Sequence, residues 1–311
     1  MHPLLVLAIY CLCSVVASLS GGWVPMVVRL THRRMQIAIS FVSGMILGIG
    51  LLHLLPHSLE VLGSIDRAVA WMLAGFLFLF FLERFFPFHH HDVAEDEPHD
   101  HAHHDQGHHE PHDHAQLSSR FSLAGAAAGM TLHGLVDGVA MAAAVKADEG
   151  SPMVAVAGLG AFLAIVLHKP FDSLTIGTLM AASGRSAASR HVFNLLYALV
   201  TPLGVVLFYA VASRAGHPQE GLGQALAFAA GAFVCIAASD LLPELQFHRH
   251  DRGVLSTALL AGIALAWGIG FFEGEGHGHG EHDHTWATGQ AEEHDHDHDH
   301  MHEADHDHHH E

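Results

Sequence analysis

The sequence predicts an all-α integral membrane protein: an eight-transmembrane-helix bundle with a disordered His-rich cytoplasmic loop and a His/Asp-rich C-terminal tail. Three observations predict it. Eight apolar runs are each long enough to cross a bilayer, which takes about 20 helical residues. Of the 311 residues 50% are hydrophobic and 14% charged, as in a chain whose surface lies largely in lipid. The formal net charge of -19 sits almost wholly in two tracts outside those runs.

The runs are 3–28, 35–59, 67–87, 119–145, 152–180, 191–213, 221–246 and 254–272. In the first, Val16-Ala17-Ser18 resembles a signal-peptide cleavage site, but no basic region precedes the apolar stretch. It is therefore read as a retained span. The bases set the orientation, because cytoplasmic loops carry an excess of Lys and Arg. With the N-terminus outside, Arg29, Arg33, Arg34, Arg84, Arg120, Arg185, Arg190, Arg249 and Arg252 fall in cytoplasmic loops. Only Arg67, Lys146 and Arg214 fall outside. Eight spans then put both termini outside, and the cell membrane is the expected location. The chain divides into spans one to three (1–87), a loop (88–117), spans four to eight (118–272) and a tail (273–311).

Segments 88–117 and 273–311 hold 24 of the 34 histidines and 21 of the 32 acids, and neither contains a Lys or Arg. Both are polar and of low complexity, so neither can bury a core, and disorder is expected. Stretches such as His294-Asp295-His296-Asp297-His298-Asp299-His300 offer imidazole and carboxylate together, a donor set that suits zinc, nickel or copper. Ordinary spacers favour Gly, Ser and Pro, and a purification tag is not interleaved with acids. Loose, exchanging metal capture is therefore the expected role. Cys11, Cys13 and Cys235 lie in apolar runs and form no CxxC pair, so neither a disulfide framework nor a thiolate zinc site is expected.

Ionisable side chains inside a span are costly and usually functional. Here they come in pairs with one spacing. His133 and Asp137 lie in the fourth span, His168 and Asp172 in the fifth, Asp240 and Glu244 in the seventh, and His53 and His57 in the second. An i, i+4 spacing puts both side chains on one helix face. Two His and two Asp complete a tetrahedral zinc shell, and without thiolates that shell releases its ion more readily. His133, Asp137, His168 and Asp172 are the leading candidate ligands. Asp240 and Glu244 lie near a span end, where a carboxylate also reaches water. His53 and His57 either line the path or cap the helix end near Pro56.

Lys169 adjoins His168, and an ammonium repels a metal. It either fills the place of a second ion, neutralises the carboxylates of the empty site, or snorkels to the membrane surface. Pro170, Pro202, Pro243 and Pro56 are expected to kink or break their spans and free carbonyls. Gly44, Gly48, Gly50, Gly125, Gly129, Gly134 and Gly138 allow close helix contact.

These residues resemble the ZIP family of metal transporters. His133-Gly134-Leu135-Val136-Asp137-Gly138 is similar to that family's HNxxDG-type motif, and His168-Lys169-Pro170-Phe171-Asp172 to its HExPH-type motif. His53-Leu54-Leu55-Pro56 and Asp240-Leu241-Leu242-Pro243-Glu244 are also similar, as are the eight spans and the His-rich loop after the third. The resemblance implies a bundle whose fourth and fifth spans hold the metal, with uptake toward the cytoplasm and often a homodimer. By position it implies a main site of His133, Asp137, His168 and Asp172, with Glu244 nearby. Gly134 stands where many members have Asn, and Lys169 where many have Glu, which puts a second metal position in doubt. Asp172 replaces the usual His or Glu.

Zinc is thus expected as transported substrate, with related divalent metals and the bilayer as partners, no resident cofactor, no nucleic-acid partner and no enzymatic activity. Three other classes compete with this reading, one of them a metal sensor or storage protein, for which eight spans are an extravagant scaffold. Cation diffusion facilitators pair HxxxD motifs and export metal, but have six spans and a soluble C-terminal domain. An intramembrane zinc hydrolase, with Ser239 beside Asp240, needs a fixed metal, for which His-rich tracts on both sides have no use.

Overall fold

The computed structural model describes residues 2–22, 31–85, 114–149, 156–214, 216–247 and 252–274. For His32 and for 114–122, 241–247 and 271–274 it describes the backbone only. Nearly all of both tracts falls outside the described residues; of the loop tract only 114–117 is described, as the first turn of the fourth span. The described part is helical, and eight of its helical spans are long and apolar enough to cross a membrane.

The first span is Pro3–Gly21, opened by a proline at its first position, where no N–H is required. The apolar run continues to residue 28, but residues 23–30 lie outside the described residues. The second comprises an α-helix His32–Ile49, a π-helical turn Gly50–Leu54 and an α-helix Leu55–Leu62. The π turn lies just before Pro56, which has no N–H to return to the preceding turn. Gly63 ends this span in the left-handed region at φ 63°, its N–H bonding Leu59 O. The third span is Ile65–Phe85 and the fourth His114–Ala147.

The fifth span, Leu159–Ala182, starts later than the apolar run suggests and continues through Pro170. Its start is fixed by Gly158 at φ 64°, whose N–H donates to Asp148 Oδ2 at 2.7 Å. The sixth breaks at Leu199 into Ala187–Ala198 and Val200–Ala212, three residues before Pro202. The seventh is Pro218–Phe247, passing through Pro243, and the eighth Arg252–Gly274. Many large apolar side chains face outward, among them Leu12, Phe81, Val206 and Trp267, as a lipid-facing surface requires.

The spans pack as two groups. Spans one, four, five and six contact one another; in the other group spans two, three and seven contact one another and span eight packs on span two. Within each group, glycines bring backbones into direct contact. A Cβ on Gly44 would meet the Leu259 carbonyl at 2.1 Å, and one on Gly262 would meet that of Phe41 at 2.1 Å, locking spans two and eight together. Gly75 and Gly231 do the same for spans three and seven, against Phe228 O at 1.9 Å and Met72 O at 1.8 Å. Gly138 and Gly204 join spans four and six, against Thr201 O at 2.1 Å and Leu135 O at 2.3 Å. In lipid such reciprocal small-residue contacts replace the hydrophobic drive that water supplies elsewhere. Spans one and five add a stacked Tyr10–Phe162 pair and a buried Ser18–Ser173 hydrogen bond of 2.8 Å. The two groups meet where span four touches seven and span two touches five. The ionisable pairs of spans four and five lie there.

Candidate metal centre

The fourth and fifth spans bring His133, Asp137, His168 and Asp172 together, with one ligand atom from each within 4.8 Å of the others. His133 and His168 are buried, Asp137 is wholly so, and Asp172 partly. His133 Nε2 lies 3.7 Å from Asp137 Oδ2 and 3.6 Å from Asp172 Oδ2. His168 Nε2 lies 3.3 and 3.8 Å from the same two oxygens. Ligands on a tetrahedral zinc, with bonds of about 2.0–2.1 Å, sit about 3.3 Å apart. The four groups are therefore near the spacing an ion needs, with only small closure required.

The hydrogen bonding points the same way. His168 Nδ1 lies 2.7 Å from the Ala164 carbonyl, which can only accept. Nδ1 therefore donates, and in the neutral ring Nε2 presents its lone pair to the carboxylates. Lone pair facing lone pair at 3.3 Å is unfavourable, so this contact requires a proton or a metal ion between the two atoms. Neither ring nitrogen of His133 has a hydrogen-bond partner, nor does Asp137 Oδ1, although all three atoms are buried. Buried polar atoms without partners are costly, and a metal shell is one arrangement that satisfies them.

Lys169 is wholly buried and does not snorkel. Its Nζ donates to Asp137 Oδ2 at 2.6 Å, lies 3.6 Å from Asp172 Oδ2, and sits 5.3 Å over the Tyr197 ring. The ammonium thus offsets one of the cluster's two acid charges from within. The Tyr197 hydroxyl donates to Asp172 Oδ2 at 3.1 Å and fixes that carboxylate from span six. Nothing in the sequence marks Tyr197, because an aromatic in an apolar run reads as packing. Gly134 leaves the space for Lys169: a Cβ there would lie 3.2 Å from Nζ.

The other paired residues lie outside this cluster. His53 is buried in the π turn, its Nε2 2.7 Å from the Ala266 carbonyl of span eight and its ring against Gly270. It packs between spans rather than facing the cluster. His57, one turn on, lies 3.8 Å from Asp148 Oδ1, the residue whose other oxygen caps the fifth span. Asp240 accepts from Ser43 at 3.4 Å and lines a cavity of about 30 Å3 whose other walls include His133, His168 and Asp172. The side chain of Glu244 lies outside the described residues. Cys11, Cys13 and Cys235 are free thiols, and none of them belongs to the cluster.

Comparison with known proteins identifies the family. Zinc transporter ZIP9-B of Xenopus laevis is 30% identical over 135 residues, covering 40% of this chain and 42% of that protein. Zinc transporter ZIP1 of Bos taurus is 29% identical over 146 residues, covering 46% and 42%. Zinc transporter 3 of Arabidopsis thaliana is 24% identical over 255 residues, covering 75% and 71%. The match thus spans about two fifths of the length of the first two relatives. The family profile described as ZIP Zinc transporter matches residues 4–274, nearly the whole chain and all eight spans. This chain belongs to the ZIP zinc transporter family.

Proposed function

We propose that this protein carries zinc across a membrane toward the cytoplasm, with His133, Asp137, His168 and Asp172 holding the ion midway. The observation that carries this reading is four convergent N and O donors, near tetrahedral spacing, inside a membrane-spanning bundle. Positive-inside bias supports both termini lying outside the cell membrane, and a negative interior then favours uptake. A divalent ion gains roughly 4.6 kcal/mol per 100 mV, about twice the value for a single charge. His57 and Asp148 lie toward the outer approach and Asp240 toward the inner end. Segments 88–117 and 273–311 act as loose metal-capture tracts on the two sides. The family resemblance supports a homodimer as the working assembly.

Lys169 suits a site that must let go. With both histidines neutral, the empty cluster carries two carboxylates and one ammonium, so its net charge is -1. A bound divalent ion takes it to +1. A cluster without the lysine would go from -2 to neutral and hold the ion harder, because charges interact strongly at low dielectric. Lys169 therefore trades affinity for release and leaves room for a single ion.

The test is zinc uptake into sealed proteoliposomes holding a zinc-sensitive dye. Saturable flux that His168→Ala lowers by about a hundredfold supports the reading, since a lost ligand commonly costs several kcal/mol. Flux that survives the substitution places the path elsewhere. Absence of flux in the wild type, with zinc still bound, points to a fixed-metal protein instead.

A further inference from the structure

Spans one, five and six converge at the end of the bundle that the proposed orientation makes cytoplasmic. Span one ends there at Gly21, span five ends at Ala182 and span six begins at Ala187. Between them lies a cavity of about 150 Å3, lined by none of the four residues of the metal cluster. Its apolar wall includes Leu174, Ile176 and Met180 of span five, and its polar wall Arg190, His191 and Asn194 of span six. Arg190 and Asn194 are i, i+4, so one face of span six presents both. Gly177 lines the cavity too, and a Cβ there would meet nothing within 4 Å.

Two polar atoms in this wall, Arg190 Nε and Asn194 Oδ1, are buried and have no hydrogen-bond partner. Among the described residues, no carboxylate pairs with the Arg190 guanidinium. The Asn194 amide nitrogen sits against the end of span one, 2.6 Å from where a Cβ on Gly22 would stand, while its oxygen stays unsatisfied. A buried donor and a buried acceptor facing one cavity call for an occupant that answers both. One buried water needs about 10–15 Å3 by the same measure, so the cavity has room for roughly ten water-sized groups. A guanidinium suits phosphate, which it grips with parallel N–H bonds. The surroundings suit a lipid. Thr178, Ala181 and His191 are exposed where the cavity opens, and Val192, Leu195 and Leu199 of span six face outward beside it. The cytoplasmic leaflet is rich in anionic lipids, and basic pockets between spans on that side bind their headgroups.

We propose that this cavity holds the headgroup of an anionic phospholipid of the cytoplasmic leaflet. The Arg190 guanidinium donates to the phosphate, Asn194 Oδ1 accepts from a headgroup hydroxyl, and the acyl chains run along the exposed face of span six. The leaflet assignment rests on the orientation in the transport reading; the chemistry of the cavity does not. A lipid there joins the inner ends of spans one, five and six, all within the group that carries His168 and Asp172.

The experiment titrates full-length protein in neutral detergent with phosphatidylglycerol and counts retained lipid by native mass spectrometry. Wild type is expected to retain one phosphatidylglycerol, with an affinity about tenfold above that for phosphatidylcholine, the order of one hydrogen bond to a charged group. R190Q should erase that preference, and R190K should recover part of it. G177L fills the cavity and leaves the charge, and should weaken binding at least as much as R190Q. R185Q removes an exposed arginine outside the cavity and should bind as wild type does. Unchanged binding in R190Q overturns the proposal. So does an equal loss in R185Q, which marks a diffuse basic surface, or equal affinity for the two lipids. Inorganic phosphate that displaces the lipid at matching concentrations shows a soluble-phosphate site and overturns it too. Should R190Q fail to fold, full affinity in G177L is enough to overturn it. Binding is read without flux, so its loss leaves the transport reading standing, and a wild type that binds lipid but moves no zinc sinks that reading alone.

Discussion

The fourth and fifth spans and the second span carry the same spacing and reach different ends. His133/Asp137 and His168/Asp172 face each other, and their ligand atoms lie within 4.8 Å. His53 and His57, equally four residues apart, part company: one bonds Ala266 O across to span eight, the other approaches Asp148. Helical period decides which residues share a face. Which faces meet is decided by how helices pair, and here backbone contact at glycine fixes the pairing. Gly44 and Gly262 hold span two against span eight, so His53 packs there. The π turn at Gly50–Leu54 adds to the divergence by rotating His57 relative to a regular helix.

Three substitutions sharpen or break this contrast. The largest effect is expected for Asp137→Ala. It leaves Lys169 buried with only the more distant Asp172 oxygen at 3.6 Å. Breaking a buried ion pair from one side costs about 3–5 kcal/mol, readable as a lowered unfolding midpoint in detergent. Asp137→Ala/Lys169→Ala should recover much of that loss; if it recovers none, the pair is not what Asp137 stabilises. Next comes Lys169→Met, which removes the cation and keeps the bulk. Half-saturating zinc should fall about tenfold and the maximal rate should fall with it, because the ion is held harder. Unchanged half-saturation would show that the ammonium does not set affinity. The smallest effect is expected for His53→Ala: about 1 kcal/mol of stability from one hydrogen bond, with uptake within about twofold of wild type. Abolished uptake in that variant would place His53 in the path and end the contrast drawn here.

The spans are legible in the sequence because bilayer thickness demands long apolar runs, and a soluble core rarely requires a run of that length. Their ends are less legible, because caps set them: Gly158, bonded to Asp148, starts span five at Leu159, seven residues inside the apolar run. The central four ligands are legible as candidates because two HxxxD pairs lie on consecutive spans, each pair on a single helix face. Tyr197 is not. It reaches Asp172 from 25 residues away, through packing that no local period encodes. The buried state of Lys169 is one of several options in the sequence; the neighbouring acid oxygens and the Tyr197 ring select it.

The missing side chain at Gly134 has a consequence for how related sequences are compared. A Cβ there would stand 3.2 Å from Lys169 Nζ, and Val200 closes the other side at the same distance. A Cβ at 134 makes the ammonium and Val200 give way by a few tenths of an ångström, and a longer side chain there competes with the ammonium for the same space. The two departures from the common family pattern, glycine for asparagine and lysine for glutamate, therefore form a single exchange of volume and charge. In a phylogeny, positions 134 and 169 should change together, and scoring them as independent differences would count one event twice.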